Sequence, residues 1–157
     1  MFGQAQCLID PIKTFGTLEQ KDKYLPPLAS GELLSAFALT EPCAGSDMTA
    51  LRTTARLDGD HYVVNGSKIF ITNASEAGVI SFTAQIMEEG IKKSIGAFVI
   101  PTDITGLKIG PKEKKMGWRA SDTRQLFFED MKVPIENMLG NPKEGFKTFL
   151  KTLTCLL

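Results

Sequence analysis

Phe37-Ala38-Leu39-Thr40-Glu41-Pro42-Cys43-Ala44-Gly45-Ser46-Asp47 begins as a short apolar strand and ends as a polar turn. Pro42 has no backbone donor and biases Glu41 toward extended geometry, so the strand must stop there. Gly45 lets the chain turn tightly or pass close to a ligand, and Ser46 adds a hydroxyl beside a row of free N–H groups. Such a turn suits a phosphate or the polar edge of a heterocycle. Gly-Ser-Asp is more commonly the chemistry of an Asx- or Ser-type turn that merely closes a strand. The residues alone leave both readings open.

Beyond this stretch the sequence is strand-like. Arg52 to Leu57 alternates Thr53, Ala55 and Leu57 against Arg52, Thr54 and Arg56, the pattern of a half-buried strand. Asp58-Gly59-Asp60 turns it back into His61-Tyr62-Val63-Val64. Asn65-Gly66 has the chemistry of a two-residue hairpin, predicting a turn into Lys68–Ile71. Further strands are predicted at Val79–Met87, Ile95–Ile100, Leu107–Lys112 and Gln125–Phe128, the last running on toward Val133. Short turns without helical crossovers predict an antiparallel sandwich or barrel. Before Leu34 the chain reads as helix. Residues 2–15 are mostly apolar or small, and Thr17-Leu18-Glu19-Gln20 has capping-box spacing. That cap predicts a helix from Leu18 to Tyr24 or Leu25, stopped by Pro26-Pro27, with a last turn leading out at Ser30-Gly31. Gly145–Leu157 again reads as helix.

With 157 residues the chain is long enough for one domain with its own core. Lys and Arg number 18, as do Asp and Glu, so no charge excess points to nucleic acid or an acidic membrane surface. No apolar run reaches membrane-spanning length, and no secretory signal pattern opens the chain. Cys7, Cys43 and Cys155 fit neither a disulfide framework nor a zinc site, which makes a reducing compartment the default. The first and last residues read as mid-helix sequence, giving the expectation of a fragment of something larger.

Three stretches together resemble the acyl-CoA dehydrogenase family: Thr40-Glu41-Pro42-x-Ala44-Gly45-Ser46-Asp47, Gly66-Ser67-Lys68-Ile69-Phe70-Ile71-Thr72-Asn73, and Lys115–Thr123 leading to Leu126–Pro134. Phe15 to Glu32 is similar to the end of that family's N-terminal helical domain. The resemblance implies a mainly β fold with flanking helices. Residues 1–33 would end the first helical domain, 34–143 would form the middle antiparallel β-barrel, and 144–157 would begin the second helical domain. The Phe15–Glu32 and Met116–Val133 segments look most like the short-chain, butyryl-type branch.

Family members convert an acyl-CoA to the 2,3-enoyl-CoA, with hydride passing to the flavin N5 of FAD. The resemblance implies that Phe37, Ala38, Leu39, Thr40, Glu41, Pro42, Gly45 and Ser46 line the flavin and reach the cofactor phosphates. Ser46 would also meet the pantetheine arm of the acyl-CoA substrate. Phe70, Ile71 and Thr72 would cover the other flavin face, with Thr72 near N5; without the family, they read as a buried strand end. Many relatives carry Trp where this chain has Phe70. Glu41 is expected to make a structural hydrogen bond or ion pair rather than act as base. His61 lacks the company a metal site needs, and no metal ligand is assigned. Cys43 reads as a small packed residue, and Trp118, Arg119, Ser121 and Thr123 as loop architecture. Arg119 and Arg124 are open to either a phosphate or a structural partner. Ser94 stands where relatives place a CoA-contacting serine, in a divergent context that carries no assignment.

No catalytic base is expected within residues 1–157, because the family draws it from the C-terminal helical domain. The polypeptide alone is therefore expected to bind FAD weakly and to turn over poorly. Two further readings compete: a scaffold fragment that holds no cofactor, and a relative with other flavin chemistry, such as an acyl-CoA oxidase or flavin monooxygenase. By family implication the electron acceptor is an electron-transfer flavoprotein, the full-length parent is a homo-oligomer, and the compartment is the bacterial cytoplasm or mitochondrial matrix.

Overall fold

A computed structural model of the chain describes residues 2–141, with side chains given from Ile9 onward. The helix expected over 145–157 lies outside the described residues. Two helices come first, α1 (Phe2–Phe15) and α2 (Leu18–Ser30). The capping box of α2 forms as its spacing predicts: Gln20 N donates to Thr17 Oγ1 at 3.2 Å, and Thr17 N donates to Gln20 Oε1 at 2.9 Å. The predicted stop at Pro26-Pro27 is corrected, because α2 continues through both prolines and ends at the left-handed Gly31. A proline inside a helix costs about 3 kcal/mol. Tyr24 and Leu28 flank the pair and are buried against the sheet, and each such side chain returns about 1.5–3 kcal/mol. Tertiary packing outweighs local propensity there.

Seven strands follow: β1 (Ser35–Ala38), β2 (Thr54–Asp58), β3 (His61–Thr72), β4 (Val79–Glu88), β5 (Ile91–Pro101), β6 (Leu107–Lys112) and β7 (Thr123–Pro134). The sheet order is β1-β4-β2-β3-β7-β6, with β5 also paired to β4. As expected, most pairings are antiparallel. The exceptions are β1 and β2, which both lie parallel to β4. They run along one edge of β4 in succession while β5 occupies the other edge. The sheet curls around its core. Phe82 of β4 touches Phe128 of β7 with ring centroids 4.8 Å apart, and Tyr62 of β3 meets Phe98 of β5 edge-on at 5.3 Å, although neither pair of strands is adjacent in the sheet. A second cluster on the sheet's other face packs Val79, Ala97 and Val99 against Ile12, Tyr24 and Leu28 of the helices.

The Asn65-Gly66 hairpin is also corrected. Both residues lie inside β3, at a break in its register with β7, and the turn between β2 and β3 is at Gly59-Asp60. Gly66 has φ 147, and a Cβ there would lie 2.6 Å from Thr53 Cα. Glycine thus serves a close backbone approach rather than a turn. The Asn65 side chain donates to Asp130 Oδ1 at 3.0 Å and accepts from Asp130 N at 2.9 Å, tying the bulge to β7.

The pairing of β1 with β4 ends at Ala38–Phe82, and that of β2 begins at Thr54–Gln85. Residues Leu39 to Thr53 therefore leave the sheet and rejoin the same edge of β4 just beyond Thr83 and Ala84. The Phe37–Asp47 stretch starts at the end of β1 and runs out along this excursion.

Candidate functional site

The excursion is built on a four-residue turn. Glu41 N donates to Ala44 O at 2.9 Å, and Ala44 N returns a bond to Glu41 O at 3.1 Å, with Pro42 and Cys43 at the tip. One residue earlier, Thr40 O accepts from Ile69 N of β3 at 2.9 Å. That bond joins the first motif to the second. Farther along, Asp47 caps a short 3-10 turn at Met48–Ala50, its carboxylate accepting from Thr49 N at 3.0 Å. These local bonds hold the Asp47 carboxyl below its ordinary range.

Beneath the turn is a buried ion pair. Lys68 has 0% relative exposure, and its ammonium donates to Glu41 Oε1 at 2.8 Å, Leu39 O at 3.2 Å and Thr83 Oγ1 at 3.3 Å. The Glu41 carboxylate also accepts from Arg52 N at 2.5 Å and from Thr53 N at 3.2 Å. Burial would raise the Glu41 carboxyl, but the Lys68 ammonium and these N–H donors outweigh it and hold the carboxyl below its usual 4.5. Burial pushes Lys68 down from 10.5 against the opposing pull of Glu41. Glu41 is thus the structural ion-pair partner that the sequence suggested. The sequence reading gave Lys68 no role.

After Lys68 the strand bulges. The β3–β7 register shifts between Lys68 and Ile71, and Phe70 takes φ 61. Left-handed backbone costs a non-glycine residue roughly 1–2 kcal/mol. Its effect is to turn the Phe70 ring outward, 63% exposed, while Ile71 stays in the core. The third motif supports the far side of the bulge. Thr72 pairs with Thr123, Asn73 N donates to Asp122 O at 3.1 Å, and Ser75 N donates to Asp122 Oδ2 at 3.0 Å. Burial would raise Asp122, but Ser75 and Arg124 hold its carboxyl low. All three motifs meet around one surface.

The predicted site residues divide by exposure. Pro42, Gly45, Ser46 and Phe70 are exposed, and Phe37, Leu39, Thr40 and Thr72 are half-buried. Ala38, Glu41 and Ile71 are buried, which leaves Ala38 and Ile71 only their backbone to offer a ligand. The hydroxyls of Thr40, Ser46 and Thr72 make no hydrogen bond among the described residues, unlike those of Thr49, Thr83 and Thr123. Cys43 is exposed at the turn tip, correcting the expectation that it packs. Arg124 takes the structural alternative, bonding Asp122 Oδ1 at 2.8 Å and Gly110 O at 3.2 Å. Arg119 is exposed, and its Nε donates to Lys115 O at 3.2 Å. His61 Nδ1 lies 3.0 Å from Asp60 Oδ1, and no group of three or more metal-ligating side chains occurs among the described residues. An outward aromatic ring, with unbonded hydroxyls on Thr72 of the same strand and on Thr40 of the segment bonded to it, suits a flat heterocycle with a polar edge, as an isoalloxazine is.

Comparison with known proteins identifies the family. Residues 36–131 match the acyl-CoA dehydrogenase middle domain, and residues 1–32 match the acyl-CoA dehydrogenase N-terminal domain. A short-chain-specific acyl-CoA dehydrogenase of Clostridium acetobutylicum is 51% identical over 142 residues, covering 90% of this chain and 38% of the relative. The mitochondrial short-chain-specific acyl-CoA dehydrogenase of Bos taurus is 46% identical, with 92% of this chain and 35% of the relative covered. This chain therefore spans little more than a third of either relative's length. A crystal structure of an acyl-CoA dehydrogenase complexed with FAD from Bacillus anthracis superposes with a TM-score of 0.88 at 46% identity, covering 94% of this chain and 25% of that one. With the middle-domain match running through both the excursion and the Phe70 bulge, the chain belongs to the acyl-CoA dehydrogenase family.

Proposed function

We propose that this chain supplies the cofactor- and thioester-facing half of an FAD-dependent acyl-CoA dehydrogenase site, of the short-chain type. The observation that carries this reading is Phe70, an aromatic ring held outward at a left-handed bulge in the segment that Ile69 N ties to Thr40 O, with the hydroxyls of Thr40 and Thr72 making no hydrogen bond among the described residues. FAD, when bound, supplies the two-electron acceptor at its flavin ring. Phe70 packs on the flavin plane and keeps water from it. Thr72 offers a donor at the ring edge where charge accumulates on reduction, and Thr40 offers another at the polar end. The turn through Pro42, Gly45 and Ser46 faces the phosphates, with Ser46 also reaching the pantetheine arm of the acyl-CoA. Phe37, Ala38, Leu39, Glu41 and Ile71 form the wall behind these groups and contribute mainly backbone. No residue of this chain is assigned as the base that takes the α-proton.

In this reading residues 34–143 are the β unit that carries the half-site, and residues 1–33 close the helical layer behind it. The parent enzyme is a homo-oligomer that passes electrons to an electron-transfer flavoprotein in a bacterial cytoplasm or mitochondrial matrix. The mitochondrial bovine relative and the bacterial one support that choice of compartments. Titration of the purified chain with FAD, followed by flavin fluorescence, tests the proposal. Saturable binding, weakened about tenfold in Thr72→Ala or Ser46→Ala at unchanged thermal stability, is the expected result. A folded chain indifferent to FAD, with and without acyl-CoA, refutes it.

A further inference from the structure

A lysine taken wholly out of water is costly unless its protons find acceptors and its charge a partner. Lys68 meets both demands through Leu39 O, Glu41 Oε1 and Thr83 Oγ1. Those acceptors are spread over separate parts of the fold. Leu39 and Glu41 are the neighbours of Thr40, Thr83 lies where β4 has lost β1 and not yet gained β2, and Lys68 itself is two residues before Phe70. Glu41 adds the far end of the excursion through Arg52 N and Thr53 N. An apolar pair of equal volume could fill this space but could not make those bonds. The backbone bond from Ile69 N to Thr40 O also ties the two surface-forming segments and adjoins Lys68 in sequence, and Thr53 Oγ1 donates to Ser67 O at 3.4 Å.

We propose that Lys68 and Glu41 are positioning residues for the cofactor face, setting the spacing between Thr40 and the Phe70–Thr72 bulge rather than only stabilising the core. The inference rests on the cofactor reading above, and it reaches the ligand solely through neighbouring groups.

The test separates stability from positioning. Lys68→Met and Glu41→Gln, made singly, each strand a buried partner and lower thermal stability. The double variant Glu41→Met/Lys68→Met removes both charges and regains most of that stability, as apolar replacements of buried pairs commonly do. Amide hydrogen exchange and FAD titration are then read on parent and variants. In the double variant the Ile69 and Thr53 amides should exchange at least about tenfold faster while β4–β5 amides keep their rates, and the FAD dissociation constant should rise about tenfold or more. Recovery of exchange protection and FAD affinity together with stability would overturn the proposal. Should the double variant not fold, Glu41→Gln decides. Faster exchange confined to Ile69, Arg52 and Thr53 supports positioning, and a uniform rise across the sheet refutes it. A parent chain that binds no FAD would sink the cofactor reading, while the exchange pattern still decides what the pair does.

Discussion

Gly66→Ala should be among the most damaging single-methyl additions in this fold. A Cβ at Gly66 would sit 2.5 Å from Thr53 Oγ1, 2.6 Å from its Cα and 2.8 Å from its Cβ. Two of those atoms are fixed by the backbone just before β2, so no rotamer change relieves the clash. The φ of 147 adds strain that an L-residue rarely accepts. Unfavourable backbone costs about 1–3 kcal/mol and overpacking a further 1–3 kcal/mol, so the expected loss is roughly 2–6 kcal/mol. Domain stabilities are only about 5–15 kcal/mol, so the melting temperature should fall by roughly 4–24 °C. Gly59→Ala provides the control. Gly59 also has positive φ, at 64, but nothing lies within 4 Å of its would-be Cβ, and its cost should be about 1 kcal/mol. Urea unfolding followed by far-UV circular dichroism, with m-values compared, measures both. If the two variants unfold within about 0.5 kcal/mol of each other, the close approach to Thr53 is not what selects glycine at position 66.

Phe70→Gly should leave folding stability unchanged or raise it by about 1 kcal/mol, because the ring is mostly exposed and the left-handed strain disappears. The same change should weaken FAD binding several-fold, and a variant that loses stability instead would show the ring to be a core element. Glu41 makes stability depend on pH. Its folded carboxyl titrates below 4.5, so the unfolded chain binds more protons in that window, and the stability it contributes is present above the unfolded value and lost as pH falls through the folded one. Urea midpoints between about pH 3 and pH 6 should therefore fall with acid, and Glu41→Gln should flatten that slope. Trp118, the sole tryptophan, is 81% exposed. Its fluorescence in the folded chain should be nearly as red and as accessible to acrylamide as in urea, and a blue, protected emission would contradict the loop's placement.

Much of this architecture was legible because its causes are local. The Thr17–Gln20 box, the Asp58-Gly59-Asp60 turn and the apolar runs of β4 and β5 each carry their own signal, and each appears where expected. The failures share a different cause. Asn65-Gly66 has the chemistry of a turn, but its glycine answers to Thr53 at the end of the excursion and its asparagine to Asp130 far along the chain. Pro26-Pro27 obeys local rules only until the burial of Tyr24 and Leu28 overrides them. At the site, the motifs marked which segments converge, and the suggestion of an ion pair for Glu41 was sound. Its partner could not be read, because a lysine within Ser67-Lys68-Ile69 looks like any solvated strand residue until its carboxylate arrives from another strand end. Phe70 was read as lining a flavin, yet the bulge that turns it outward shows only in the register with β7.

The paired parallel docking of β1 and β2 on one edge of β4 has a consequence for redesign. The ends of the Leu39–Thr53 excursion are pinned at Phe82 and Gln85 by ladders that do not depend on what lies between them. Closing a longer loop between fixed ends adds only about 0.6 kcal/mol per doubling of its length. The stretch after Ala44 and before Leu51 can therefore be lengthened, shortened or grafted while the sheet holds its register, with Leu51 kept because it is buried with Ala44 and Ile95 and its carbonyl accepts from Gln85 Nε2. The same scaffold could then present new recognition loops, provided that Glu41 and the amides of Arg52 and Thr53 are carried over with each graft.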